Sequence, residues 1–370
     1  MIRILHVVTK MDAGGIETLL MNFYREIDKS KVQFDFLLHR TEKGFYDDEI
    51  NRLGGKLYYV PSISILKHKR YLNALDVFFS KHSEYRIVHS HINAFSMFVL
   101  RAAKNHCIPI RIAHSHIANP SFSFIKTPVR CYCIAKIKEY CTHMFACSEM
   151  AGTWLFGKNV LTKSKFKIIN NAIDSEKFIF NPSLRNQLRT ELNVENKIVF
   201  IHVGRFTKQK NHNFIIELFN MYHKQNPESC LWLFGEGVLY NRVKDLIKKY
   251  SLERSVSLMG VKENINEYMM AADCFLFPSI YEGLGIVAIE SQTAGLLTIC
   301  SDFVPKEANI SSLYHSRILD YNQWIEVINN NIPYSRKTDN VAIKSNYDIK
   351  VVASWLQKFY INVVTIKKEL

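Results

Sequence analysis

The feature that most constrains this chain is a rhythm. Short β-branched apolar runs alternate with amphipathic segments, and the whole pattern then starts again. The first round opens with IRILHVVT, turns at DAGGIE and continues into TLLMNFYREI, whose apolar residues recur at helical spacing. VQFDFLLH and LYYVP read as strands, with a helix expected near Tyr46–Leu53 between them. RIVHSH and IRIAHSH are two more strands, each ending in histidines, separated by a helix expected over Ala94–Asn105; MFACS and KIINNAI follow. The second round runs KIVFIHVGRF, NFIIELFNMYHKQ, SCLWLFGEG, NRVKDLIKKYSL and VSLMGV, then NINEYMMAA, CFLFPS, GIVAIESQTAG and LLTICSD. Strands alternating with helices of this length build parallel, doubly wound α/β sheets. At 370 residues the chain is too long for one ordinary core, so two such domains are expected, at residues 1–178 and 179–345. A helical tail, 346–370, is expected to cross back to the N-terminal domain.

Hydrophobic residues at 48% and charged residues at 22% suit a soluble globular protein. The apolar start, MIRILHVV, is too short for a signal peptide, and no 18-residue apolar run could span a bilayer. A cytoplasmic location is therefore expected. The eight cysteines have no C-x-x-C spacing and are read as reduced, mostly buried thiols. Charge is more telling. The net charge is +14, and residues 51–170, with 18 Lys and Arg against 4 Asp and Glu, carry the surplus. A basic surface confined to one domain points to an anionic partner: membrane lipid, a phosphorylated lipid or nucleic acid. AT-rich coding bias toward lysine is the bland alternative.

Polar and glycine-rich segments fall where strands of the pattern end, and ligands of doubly wound sheets bind at those ends. FPSIYEGLGIVAIESQTAG is the most specific of them. Gly283 and Gly285 form a turn that feeds a helix, leaving backbone N–H groups free for a phosphate. Glu290 lies about one and a half turns into that helix, within reach of both hydroxyls of a ribose, and Glu282 precedes the turn. An unpaired carboxylate at Glu290, inside an apolar run, would be costly without a ligand. GRFTKQKN supplies Arg205 and Lys210 just after a strand, fixed cations of the kind a diphosphate needs. An exposed basic loop would look the same in isolation. GEG at 235–237 offers a further close backbone approach. DAGGIE lacks the G-x-G-x-x-G pattern, which argues against a nicotinamide enzyme. His114 and His116 end a strand, and no third metal ligand is evident beside them. With no Asp-x-Asp either, neither metal nor cofactor is expected, and Arg205, Lys210 and helix dipoles would serve as counter-charge. No G-x-S-x-G elbow is present for serine hydrolysis.

Taken in order, DAGGIE, HSHI, ACSEMA, IINNAID, HVGRFTKQKN, LWLFGEG, SLMGVKENI and the E-x7-E of FPSIYEGLGIVAIESQTAG resemble the GT-B glycosyltransferases of retaining family 4, over nearly the whole chain. The sequence departs from the family at Ala172, often glycine, and at Gly285 and Ile286, where the exopolysaccharide subgroup often has proline after EGL. The resemblance implies two Rossmann-like domains facing a cleft. It implies transfer of a sugar, with retention, from a nucleotide-sugar, with UDP as the expected carrier, to a saccharide or polyprenyl-diphosphate-linked acceptor in capsule, exopolysaccharide or O-antigen-type synthesis. Nucleic acid is not an implied partner. Carried over residue by residue, Glu290 would hold the ribose and Glu282 the donor sugar. Arg205 and Lys210 would neutralise the diphosphate. Gly204, Glu236, Gly237, Gly283, Leu284 and Gly285 would line the donor, and Val261 the base. Gly14 and Gly15 would approach the phosphates, and His116, in preference to His114, the donor sugar. Two other readings compete. Among other GT-B enzymes, a phosphorylase would need a cofactor lysine that is not placed and an epimerase does not usually carry this E-x7-E context, while a non-catalytic polyanion binder leaves GRFTKQKN and the E-x7-E unexplained.

Overall fold

The structure is a computed structural model that describes residues 1–12, 14–63, 68–116, 126–336 and 340–366. The chain divides into two compact units, Met1–Ala172 with Ile349–Leu370, and Ile173–Asp348. The first unit contains β1 (Ile2–Val8), α1 (Gly15–Glu26), β2 (Val32–Leu38), α2 (Asp47–Arg52), β3 (Leu57–Tyr59), α3 (His68–Lys81), β4 (Ile87–Ser90), α4 (Ser96–Asn105), β5 (Ile110–Ser115), α5 (Lys126–Tyr140), β6 (His143–Ala146), α6 (Glu149–Phe156) and β7 (Phe166–Ile168). The second contains α7 (Pro182–Glu191), β8 (Ile198–Val203), α8 (His212–Gln225), β9 (Ser229–Phe234), α9 (Tyr240–Lys249), β10 (Val256–Gly260), α10 (Ile265–Ala271), β11 (Cys274–Phe277), α11 (Ile286–Thr293), β12 (Leu297–Ser301), β13 (Tyr314–Arg317), α12 (Tyr321–Asn331) and α13 (Val341–Lys344). The last helix, α14 (Ile349–Ile366), belongs to the first unit and packs on α1 and β2.

Both sheets are wholly parallel. Their orders are β3-β2-β1-β4-β5-β6-β7 and β10-β9-β8-β11-β12-β13. Period-two alternation assigns the residues of each strand to opposite faces. In β1, Ile4 and Val8 enter the core beneath α1 and α14, while Leu5 and Val7 enter the core on the other face. Ile349, Val352, Ala353, Leu356, Tyr360 and Val364 of α14 complete the first of these cores. Both faces being covered, the strands are apolar almost throughout, which makes their sequence signal strong.

Several elements differ from the sequence expectations. The expected Ala94–Asn105 helix begins with a tight turn at Asn93–Phe95 before α4. KIINNAI contributes only its first residues, to β7. Helices α3, α5, α6, α7, α12 and α13 and strand β13 have no counterpart among the sequence expectations. Helix α5 has little apolar periodicity, its Lys, Cys and Tyr residues being spread around the axis. All eight cysteines are free thiols, and among the described residues no helix is long and apolar enough to cross a membrane.

Candidate active site

In each sheet the strand order reverses once, between β1 and β4 and between β8 and β11. At such a switch point the flanking loops leave in opposite directions and open a crevice at the carboxyl ends of the strands. This decides which of the expected residues meet.

In the second unit the loop after β8 carries Gly204, Arg205 and Lys210, and the loop after β11 carries Glu282 to Gly285. Lys210 Nζ donates to Glu282 Oε1 at 2.6 Å, with the two side chains 15% and 9% exposed. The ammonium also lies 4.5 Å from the centroid of the Phe277 ring. The loops are stitched together elsewhere. Ile280 N–H donates to the Gln209 carbonyl at 2.9 Å, and Gln209 Nε2 donates to the Tyr281 carbonyl at 2.9 Å. Arg205 is exposed, and its guanidinium has no partner among the described residues.

Gly285 caps α11 with φ +83°, and a Cβ there would sit 2.9 Å from the Phe277 ring and 3.4 Å from Val304. Only glycine combines that left-handed backbone with so little room. The cap leaves the first amides of α11 without intrahelical acceptors, aimed along a helix dipole that favours an anion. Leu284 is buried and can offer only its backbone, while Gly283 is partly exposed. Glu290 follows in the second turn. Its carboxyl is pushed up to about 7 by burial and has no partner among the described residues, while the residue as a whole keeps part of its exposure. It is therefore a recessed acceptor that a ligand could still reach.

The loops after β8 and β9 approach at glycines: with φ +126°, a Cβ on Gly235 would fall 2.3 Å from the Gly204 carbonyl oxygen. Phe206 N–H donates to the Glu236 carbonyl at 2.8 Å, so that loop is braced by backbone while the Glu236 side chain and Gly237 stay exposed. Val261, 68% exposed, follows β10. Sequence reasoning missed two groups here. His202 and His212 are buried and face-adjacent to this corner, their rings 4.9 Å apart, and burial holds both below the usual histidine range.

In the first unit Gly14 caps α1 and Gly15 opens it. Glu17 curls back over this end: a Cβ on Gly14 would lie 2.3 Å from Glu17 Oε2. Burial raises the Glu17 carboxyl, and nothing in the sequence marked it. His114 and His116 sit at and just beyond the end of β5, with 1% and 8% exposure. They belong to a larger cluster. His6 Nδ1 contacts His91 Nε2 at 3.0 Å, His91 Nδ1 contacts His116 Nε2 at 2.9 Å, and His89 Nε2 contacts His114 Nδ1 at 3.1 Å. His89 Nδ1 pairs with Tyr360 of α14 at 2.7 Å. Burial pushes all five imidazoles down, His6 and His116 to about 3, so they are neutral. The third histidine partner that the sequence did not reveal is thus supplied by the neighbouring strand, through the β4–β5 register.

Comparison with known proteins identifies the scaffold. The family model described as Glycosyltransferase Family 4 matches residues 13–177, and that described as Glycosyl transferases group 1 matches residues 185–329. The chain is a family 4 glycosyltransferase. It is 33% identical over 310 residues to EpsF of Bacillus subtilis (strain 168), named a glycosyltransferase, covering 83% of this chain and 81% of that one. It is 25% identical over 348 residues to the UDP-Gal:alpha-D-GlcNAc-diphosphoundecaprenol alpha-1,3-galactosyltransferase of Escherichia coli, covering 89% and 86%. Among solved structures, Anabaena HepE in complex with UDP superposes with a TM-score of 0.79 at 15% identity, covering 98% of this chain and 100% of that one. The glycosyltransferase therefore has the GT-B architecture of two Rossmann-like domains, as its sheets already indicated.

Proposed function

We propose that this glycosyltransferase moves a sugar, with retention of configuration, from a UDP-linked donor to a saccharide carried on a polyprenyl diphosphate, in capsule or exopolysaccharide assembly. The observation that carries the donor half is the β8/β11 switch point, where a lysine, a glutamate 2.6 Å away and a glycine-capped helix start converge. The amides of Gly283 to Gly285 and the exposed Arg205 would take the diphosphate. Lys210 would neutralise charge that grows on the leaving phosphate, and no metal is then needed. Glu290, recessed and unpaired, would accept the ribose hydroxyls, and Val261 and the Glu236–Gly237 backbone would flank the base. Glu282 would turn toward the donor sugar, and His116 would donate to it. Gly14 and Gly15 would approach the phosphates. No protein nucleophile is required if the leaving phosphate helps deprotonate the acceptor. The lipid-linked acceptor is supported by the Escherichia coli relative's name and by the basic character of residues 51–170, which suits an anionic lipid and peripheral contact with the cytoplasmic membrane face.

The test is binding and transfer with UDP-, GDP- and ADP-sugars in EDTA. Losing a charge-assisted pair costs about 1.5–3 kcal/mol, so Glu290→Ala should weaken nucleotide binding by roughly 10- to 150-fold. Glu282→Ala should instead lower transfer more than binding. Wild-type behaviour in both variants would remove the site, and dependence on added Mg2+ or Mn2+ would remove the metal-free reading.

A further inference from the structure

The histidine cluster of the first unit is larger than one sugar contact requires. Two strands contribute histidines to one sheet face at aligned register, and a ring nitrogen from each of His91, His114 and His116 lies within 4.8 Å of one from each of the others. We propose that these three side chains form a binding site for a divalent transition metal of the Zn2+ or Co2+ kind.

Four observations carry this. The ligands of a tetrahedral ion with metal–nitrogen bonds of about 2.0–2.1 Å lie about 3.3 Å apart, and the His91 Nδ1 to His116 Nε2 distance is already 2.9 Å. The rings are also held from behind. His89 contacts His114 Nδ1, and His6 contacts His91 Nε2, which leaves His114 Nε2 and His91 Nδ1 as the forward nitrogens. Metal-binding histidines are ordinarily fixed through the far nitrogen in this way. His114 Nε2 is buried with no partner among the described residues, and buried polar atoms rarely go unpaired. Finally, the donor set holds three neutral imidazoles and no carboxylate. That composition selects zinc, cobalt, nickel or copper, and disfavours magnesium and calcium, which need oxygen ligands. A second triad, His6, His89 and His91, also satisfies the distance condition. It lies deeper along the strands, where His6 is wholly buried, whereas His116 at the strand end is 8% exposed and offers the way in. Three ligands leave a fourth position for water. A metal there takes His116 Nε2 and fixes the orientation of its ring, so it should inhibit transfer; the inhibition, unlike the binding, rests on the proposed role of His116.

The experiment uses the untagged full-length protein, stripped of metal and titrated with Co2+ under visible absorption, with Zn2+ competition and elemental analysis. One equivalent should bind and give the intense d–d bands of a four- or five-coordinate nitrogen site. His114→Asn and His116→Asn should each weaken binding about tenfold or more, with circular dichroism confirming that each variant is folded. A folded wild-type protein that takes up no stoichiometric Co2+ overturns the site. So does binding unchanged in both variants, which would assign the ion to His6, His89 and His91 or to the surface. Zn2+ should inhibit transfer, reversibly by EDTA. One-equivalent binding without inhibition keeps the metal site and overturns the role given to His116 at the donor.

Discussion

A carboxylic acid that titrates near neutrality responds to pH within the working range of an enzyme, and Glu290 is such a group. Its ordinary value of 4.5 is raised to about 7 because the folded chain removes water from around it without supplying a partner among the described residues. Below pH 4.5 it is protonated both folded and unfolded, and the raised value costs nothing. Between 4.5 and 7 the unfolded chain releases the proton while the folded chain keeps it, so stability falls with rising pH and levels off above 7. The full shift corresponds to about 3 kcal/mol at most, and to less here because water still reaches part of the side chain. Glu290→Gln should therefore raise Tm at pH 8 and leave it nearly unchanged at pH 4.5, while nucleotide affinity in the wild type rises as pH passes through 7. A melting profile of Glu290→Gln that parallels the wild type at every pH would show that the carboxyl is not held in this way. The residue itself stands out in the sequence as a glutamate inside an apolar run. The lack of a partner was not, since it depends on what folds around α11.

At the scale of elements, the junction between β11 and α11 is the most exacting piece of the molecule. Gly285 turns the chain at φ +83° against Phe277, and Phe277 in turn lies under the Lys210 ammonium. Gly285→Ala should cost about 1–2 kcal/mol in backbone strain alone and push the Phe277 ring into the Lys210–Glu282 pair. The expected result is a lower Tm together with nucleotide affinity reduced at least tenfold, read by calorimetry. A drop in Tm with unaltered affinity would separate the junction from the ligand site. Such elements were visible in advance because glycine, charge and apolar runs fall in a fixed order. Helix α5 was not, because its periodicity is weak and its packing on α4 and α6 comes from tertiary contacts.

At the scale of the whole molecule, the uneven charge is the property with the widest reach: residues 51–170 carry as large an excess as the entire chain. If that surface meets an anionic membrane, co-sedimentation should need vesicles containing phosphatidylglycerol and should fade as salt rises from about 0.05 to 0.5 M, where the screening length becomes a few ångström. Equal binding to neutral vesicles would remove the electrostatic account. Two doubly wound domains, the E-x7-E corner and its cations were determined by the sequence itself. Strand and helix periods, glycine turns and polar strand ends are local signals, and their order survives without coordinates. Only the tertiary structure decided that Lys210 pairs with Glu282 across 72 residues and that His6, His89 and His91 gather around His114 and His116. Those meetings depend on which strands lie side by side and at what register, and parallel pairing joins segments whose partners are set by the packing of the whole sheet rather than by any neighbouring residue.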